Sequence, residues 1–150
     1  AKLRLIEGGA PQTSRAFEIA RAARFIKGSG MPVRIPVIEM IEIGAGGGSI
    51  ADVDAGGLLL VGPESAGAVP GPACYMKGGE EPTVCDANVV LGYLPSDVQL
   101  GGKMDINRDA SVAAVQKVAD AMGIDLMAAA EGICKIVNES MFGALRLVSV

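Results

Sequence analysis

The chain of 150 residues contains no histidine and no tryptophan, and aromatic residues make up only 3% of it. Without histidine, a Cys–His catalytic pair and a zinc site with histidine ligands are impossible within this segment. Its three cysteines, Cys74, Cys85 and Cys134, are odd in number and form no C-x-x-C pair. That pattern argues against a disulfide framework and a structural zinc site. We therefore expect each cysteine to be a small buried hydrophobe.

Strong charge and long apolar runs are also missing. The formal net charge is −4, which argues against a nucleic-acid partner because such proteins present basic faces. No apolar run reaches the ~18 residues that a membrane-spanning helix needs. We expect a soluble cytoplasmic protein with neither a nucleic-acid nor a membrane partner, folded as a single domain over residues 1–150.

A glycine-rich bend is the most informative feature that the sequence does contain. It lies between two β-like segments, residues 41–43 and 50–53, and its glycines are Gly44, Gly46, Gly47 and Gly48. Without a Cβ, glycine can adopt positive φ and approach a ligand closely. Consecutive N–H groups in such a turn form a concave site for anions, phosphate above all.

The spacing of these glycines excludes two common phosphate motifs. A Rossmann fingerprint needs a sixth-position glycine, and counting from Gly44 that position is Ser49. A P-loop needs a lysine after its glycines, and none follows here. Both motifs also continue into a helix, whereas residues 50–61 have the pattern of a β-hairpin that turns at residues 54–57. The sequence thus predicts a phosphate site of another class.

If the bend holds a nucleotide, we expect the residues of the bend to bind its phosphates and nearby acidic residues to bind a metal ion. The predicted cofactor-binding residues are Gly44, Gly46, Gly47, Gly48 and Ser49, with the Ser49 hydroxyl reaching a phosphate oxygen or a metal-bound water. Phosphate transfer depends on positioning and charge neutralisation, so Mg²⁺ is expected beside ATP. Its candidate ligands are Asp52 and Glu42, with Asp54 also nearby. The alternative is that Glu42 and Asp52 are solvent-facing strand residues and that Asp54 begins a tight turn.

Two further carboxylates are candidate catalytic residues, Glu64 and Asp86. Glu64 lies in a stretch dense in glycine, proline and alanine, residues 63–85, and could orient a substrate. Loops of that length tend to be functional, the alternative being a surface or interface loop. Asp86 lies at a predicted helix start, where it could cap the helix instead of, or as well as, contacting substrate.

The pattern along the chain predicts an α/β (α+β) fold with a β-hairpin-rich first half and a helical second half. Residues 1–62 form strands and the glycine hairpin, residues 63–85 an irregular loop, and residues 86–150 helices. Residues 33–43 read as one extended segment. Residues 12–26 are ambiguous, with a strand favoured for the first half and a helix for the second.

Three helices are predicted in the second half. A short one runs from Asp86 through Leu94, and a second covers residues 110–122, started by Asn107 or Asp109 and stopped by Gly123. Asp125 caps a long third helix from Leu126 toward Val148. The third helix carries apolar residues at spacings of three and four, which indicates one buried stripe.

Several linked motifs resemble the hydantoinase A/oxoprolinase family. They occur in order at residues 35–40 (IPVIEM), 44–51 (GAGGGSIA), 62–67 (GPESAG), 70–75 (PGPACY), 81–88 (EPTVCDAN) and 145–150 (LRLVSV). The resemblance implies a large ATP-dependent enzyme with a nucleotide-binding part similar to the actin/hexokinase-type ATPase fold. The family includes 5-oxoprolinases, N-methylhydantoinases and subunits of acetone and acetophenone carboxylases.

The resemblance also implies a function and partners. It implies an ATP-dependent hydrolase of lactams or cyclic ureides, with the remaining domains of the parent chain and a B-type subunit as partners. The alternatives are a ketone carboxylase subunit, acting on a ketone rather than an amide, and a non-catalytic interface domain. The chain departs from the family at Met76, Lys77, Glu80 and Cys85, and the family's early D-x-G-G-T loops are absent. We therefore expect an internal fragment of a longer polypeptide that is inactive when isolated.

Overall fold

The computed structural model describes residues 1–20, 22–23, 26, 28–97 and 99–149, and it is a mixed α+β structure. The strands are Lys2–Leu3 (β1), Ile6–Glu7 (β2), Ala10–Pro11 (β3), Thr13–Ser14 (β4), Phe17–Ile19 (β5), Met31–Val33 (β6), Val37–Ile38 (β7), Ile41–Glu42 (β8), Ser49–Val53 (β9) and Leu59–Ser65 (β10). The helices are a 3₁₀ turn at Ala73–Tyr75 and three α-helices, Val84–Val90 (α1), Arg108–Met122 (α2) and Leu126–Ser149 (α3). The strand-rich first half and helical second half agree with the prediction.

The chain divides into two compact units. The first contains residue 1 and residues 43–143, and the second contains residues 2–42 and the chain from residue 144 onward. That the chain folds as a single domain stays a prediction.

The first unit contains the predicted β-hairpin. β9 and β10 pair antiparallel, with Leu59 opposite Val53. At the turn, one carboxylate oxygen of Asp54 accepts the N–H groups of Gly56 and Leu58 at 2.8 and 2.9 Å. Asp54 is therefore a turn residue, as the alternative interpretation of the sequence proposed.

The start of α1 differs from the prediction. Thr83 is the N-cap, because its hydroxyl accepts the N–H of Asp86, while the Asp86 side chain accepts the N–H of Thr83. This reciprocal pair is a capping box, in which the acidic residue occupies the third helical position. The predicted helix from Asp86 through Leu94 is thus wrong at both ends, since α1 begins at Val84 and ends at Val90.

α2 and α3 follow the sequence signals closely. The Asn107 side chain accepts the N–H of Ala110 and caps α2, which ends at Gly123 in the left-handed region. The Asp125 carboxylate accepts the N–H of Ala128 at 3.0 Å at the start of α3. The predicted buried stripe is confirmed in the first unit, where Ala130, Ile133 and Val137 are at most 3% exposed.

The core of the first unit is aliphatic. α1, α2 and the first part of α3 pack with the β9–β10 hairpin, and the core residues are alanine, valine, leucine and isoleucine. The buried members are Ala45, Ala51, Leu59, Val84, Ala87, Val90, Val115, Val118, Ala119, Ala129, Ala130, Ile133 and Val137. Because small residues predominate, the elements can approach closely without aromatic side chains.

The second unit consists of short antiparallel strand pairs. β1 pairs with β8, β2 with β3, β4 with β7 and β5 with β6. The predicted single extended segment over residues 33–43 is wrong, because it is divided among β6, β7 and β8. Pro36 lies between β6 and β7, and proline has no N–H to donate to a strand ladder.

Two other stretches of the chain were predicted to be ambiguous, over residues 12–26, or an irregular loop, over residues 63–85. In residues 12–26, β4 and β5 confirm the strand that was favoured for the first half. The helix that was favoured for the second half is absent at residues 22, 23 and 26, while residues 21, 24 and 25 lie outside the described residues. The predicted irregular loop over residues 63–85 is shorter, because β10 extends to Ser65 and a 3₁₀ turn occupies Ala73–Tyr75. Within the described ranges, no helix combines the length and the apolar character that crossing a membrane requires.

Candidate functional site

The glycine bend, residues 44–48, leads into β9 rather than joining two paired strands. β8, which precedes it, pairs with β1, and β9 pairs with β10. The prediction that the bend itself closes a hairpin is therefore wrong. Its four glycines also do not adopt positive φ. Their importance lies in having no side chain.

Three of the four glycines make room for other parts of the protein. A Cβ at Gly44 would lie 2.9 Å from the Cβ of Pro63, and one at Gly47 would lie 2.7 Å from the Cys85 sulfur. A Cβ at Gly48 would meet the Ser65 hydroxyl at 2.8 Å. In contrast, a Cβ at Gly46 would have no atom within 4 Å apart from those of its two chain neighbours. The bend is thus packed against β10 and α1 but faces open space at Gly46.

Hydrogen bonds hold the bend in place and leave several amides, among them those of Gly47 and Gly48, without a protein acceptor among the described residues. The Gly46 N–H donates to the Ser49 hydroxyl, and the Ser49 N–H donates back to the Gly46 carbonyl, both at 3.0 Å. The Gly47 carbonyl accepts the N–H of Cys85 at 2.7 Å. Within the described part of the chain, the amides of Gly47 and Gly48 donate to no protein acceptor. Unpaired backbone donors of this kind can bind an anion.

Ser49 has a structural role that the sequence did not reveal. It is 3% exposed, and its hydroxyl oxygen is the acceptor that closes the turn at Gly46. The exposed hydroxyl beside the bend belongs instead to Ser65, which accepts the N–H of Gly67 at 3.2 Å. Sequence reasoning missed Ser65, because its proximity to Gly48 depends on the pairing of β9 with β10.

The predicted acidic residues lie in different settings. Asp52 is exposed on β9, and its carboxylate accepts the N–H of Val53 at 2.8 Å. Glu64 is exposed on β10. Glu42 belongs to the second unit and forms an exposed ion pair with Lys2 at 2.8 Å. Among the described residues, no group of three or more acidic, cysteine or histidine side chains is arranged to hold a metal ion.

The Lys2–Glu42 pair shifts both ionisations toward the charged forms. The hydrogen bond and the charge of Lys2 lower the pKa of Glu42, and the same interactions with Glu42 raise the pKa of Lys2. Exposed pairs of this kind contribute little to stability because water and salt screen them.

Asp86 is completely buried within a network of donors. Its two carboxylate oxygens accept hydrogen bonds from three backbone N–H groups and two hydroxyls. The backbone donors are Ala73, Cys74 and Thr83 at 3.3, 2.9 and 3.1 Å, and the hydroxyls are those of Thr83 at 2.6 Å and Ser111 at 2.9 Å. The T-x-x-D spacing could have revealed the Thr83 contact. Ser111 is 25 residues away, and no local signal indicated it.

Burial disfavours the thiolate form of the two cysteines near Asp86. Burial, followed by the charge of Asp86, raises the pKa of Cys74 to about 12. Burial also raises the pKa of Cys85, whose sulfur lies 3.6 Å from the Tyr75 hydroxyl. Because the thiolate is the nucleophilic form, these shifts favour packing roles for both residues.

Comparisons with known proteins agree on one family. The profile of the family described as Hydantoinase/oxoprolinase matches residues 1–150. Caprolactamase subunit alpha from Pseudomonas jessenii is 51% identical over 119 residues, covering 79% of this chain and 17% of that protein. The acetophenone carboxylase gamma subunit from Aromatoleum aromaticum is 47% identical over 116 residues, covering 76% of this chain and 16% of that protein.

A solved structure gives the same result. The crystal structure of the ATP-dependent caprolactamase from Pseudomonas jessenii matches with a TM-score of 0.72 at 50% identity, covering 81% of this chain and 18% of that one. The chain spans less than a fifth of the length of the two relatives named above. Since the family profile matches from the first residue to the last, the chain belongs to the hydantoinase/oxoprolinase family.

Proposed function

We propose that this chain contributes part of the ATP-binding site of an ATP-dependent hydrolase of lactams or cyclic ureides. In this proposal the chain is an internal fragment of a longer polypeptide with an actin/hexokinase-like ATPase fold. Its partners are the remaining domains of that polypeptide and a B-type subunit, and its location is the cytoplasm.

The observation that carries the proposal is the pair of unpaired amides at Gly47 and Gly48 beside the open space at Gly46. Unpaired backbone N–H groups on neighbouring residues can donate to the oxygens of a phosphate group. Gly44 and Ser49 shape the bend, by admitting Pro63 and by closing the turn. The ATP dependence of the caprolactamase supports ATP as the nucleotide.

Mg²⁺ is proposed to accompany the nucleotide. This ion is usually held by one or two carboxylates together with substrate phosphates and waters, so a complete protein cage is not required. Asp52 fits that role because it is exposed on the strand that follows the bend. Glu42 as a ligand of Mg²⁺ stays a prediction, because its carboxylate forms an ion pair with Lys2 and would have to leave that pair to bind the ion. Glu64, exposed near the end of β10, is our candidate for orienting the substrate.

Of the two alternatives, the ketone carboxylase subunit has specific support. A ketone carboxylase subunit is supported by the similarity to the acetophenone carboxylase gamma subunit at 47% identity. A non-catalytic interface domain would retain the fold without binding nucleotide. Comparing turnover of lactams with turnover of ketones plus bicarbonate separates the hydrolase from the carboxylase.

The nucleotide site is tested by titrating ATP with Mg²⁺ into the complete polypeptide, in wild-type form and with Gly46→Ala. The added methyl group meets no protein atom within 4 Å, so the fold is retained while the phosphate position is obstructed. We expect Gly46→Ala to weaken ATP binding by roughly tenfold or more, about 1.4 kcal/mol.

Gly143→Ala is the matched control, because a Cβ there also has no neighbour within 4 Å and lies on α3. It should leave ATP affinity unchanged. A wild-type polypeptide that does not bind ATP would contradict the proposed function.

A further inference from the structure

Asp86 has no accepting position left for a substrate. A carboxylate has about four lone-pair positions, and Asp86 already accepts from five donor groups while being 0% exposed. A group so enclosed cannot take or give a proton at a reacting atom without losing these bonds. The role of Asp86 is therefore structural: it holds the neighbouring backbone N–H groups and hydroxyls in place.

The donors that Asp86 gathers come from three separate parts of the first unit. Ala73 and Cys74 belong to the 3₁₀ turn, Thr83 precedes α1, and Ser111 lies in α2. All of these contacts are buried, so each would leave an unsatisfied polar group if the carboxylate were removed. Asp86 therefore determines where α1 begins relative to these neighbours.

The start of α1 in turn contacts the glycine bend and β9. The Cys85 N–H donates to the Gly47 carbonyl at 2.7 Å, and the Ala51 N–H donates to the Pro82 carbonyl at 2.8 Å. Thr83 also forms an isolated β-bridge with Ile50. The Gly47 carbonyl and the unpaired N–H of Gly48 belong to the same planar peptide group. The hydrogen bond from Cys85 to this carbonyl therefore orients the Gly48 donor directly.

We propose that Asp86 is a positioning residue for the phosphate site: by organising Thr83 and Cys85, it orients the peptide between Gly47 and Gly48. This inference rests on the proposed function, because it assigns Asp86 a role in the same nucleotide site. It also assigns Thr83 a role through its hydroxyl, which donates to Asp86 and caps α1.

The test measures affinity for ATP with Mg²⁺ in the complete polypeptide by calorimetry, at a temperature where circular dichroism shows each variant folded. Asp86→Asn and Thr83→Ala should each weaken ATP binding by about tenfold or more. Thr83→Ser retains the hydroxyl and should restore affinity to within about twofold of wild type. Ile133→Val, a conservative change at a fully buried position in α3, controls for lost core stability.

The outcomes separate this inference from the proposed function. If wild type binds ATP and Thr83→Ala binds it equally well, the positioning role is overturned while the proposed function stands. The positioning role is also overturned if Ile133→Val loses as much affinity as Thr83→Ala. A wild type that fails to bind ATP overturns both. Should Asp86→Asn not fold, the two Thr83 variants decide the question.

Discussion

Gly47 was predicted to bind a ligand, but packing within the protein also requires glycine at this position. The sulfur of Cys85 occupies the space that a Cβ at Gly47 would need, at 2.7 Å. Gly44 and Gly48 are restricted in the same way by Pro63 and Ser65. A run of glycines therefore predicts close approach, but the sequence alone does not say whether a ligand or another part of the chain approaches.

At this scale we predict that Gly47→Ala destabilises the protein by about 1–3 kcal/mol, because the new methyl group overpacks against Cys85. Thermal unfolding would show the loss as a lowered midpoint. Adding Cys85→Ala should recover part of the stability, since it removes the clashing sulfur and the two positions are in contact.

Gly46→Ala is the control for this prediction, because it places the same methyl group in the same bend with no atom within 4 Å. It should leave the unfolding midpoint nearly unchanged. Equal destabilisation by both alanine substitutions would show that backbone conformation, not the contact with Cys85, makes glycine necessary.

Among the secondary-structure elements, α2 and α3 were predictable, whereas the bounds of α1 and the strands of the second unit were less so. Asn107, Gly123 and Asp125 act within a few residues of themselves, so their effect on α2 and α3 can be read locally. The short strands β1 and β8 are paired across about 40 intervening residues, and no local pattern indicates that partnership.

For α2 we predict that Asn107→Ala destabilises the protein by about 1 kcal/mol, because the N–H of Ala110 loses its acceptor. Asn107→Ser or Asn107→Asp should recover most of this loss, since both side chains accept a hydrogen bond at the N-cap. Thermal unfolding of the three variants checks the prediction. An alanine variant as stable as wild type would show that the cap contributes nothing here.

For the whole molecule, the relevant fact is that relatives are more than five times longer than the matched segment. Large apolar side chains are also exposed in both units, among them Met31 at 63% and Leu58 at 62%. Large contiguous apolar patches mark contacts with other domains or subunits, whereas single exposed side chains are common on any protein surface. The length of the relatives is therefore what supports our proposal that the chain works within a larger enzyme.

We predict that the purified 150-residue chain has negligible ATPase activity, because phosphate transfer needs a complete set of positioning and charge-neutralising groups. Phosphate release from the isolated chain and from the complete polypeptide should be compared at equal concentrations. The isolated chain carrying Gly46→Ala, assayed at an ATP concentration below saturation, serves as a background control for contaminating ATPases. Robust turnover by the isolated chain that Gly46→Ala abolishes would overturn the fragment interpretation.

The sequence by itself determined the family, the α+β order of elements, the β9–β10 hairpin, the glycine that ends α2 and the aspartate that caps α3. These features depend on motifs and on interactions between residues close together in the chain. Only the tertiary structure decided that Asp86 is enclosed by donors from three elements, that Ser65 borders the bend and that Cys85 fills the space at Gly47. The reason is physical: burial and hydrogen-bond saturation depend on which distant segments pack together, and that is a property of the folded chain.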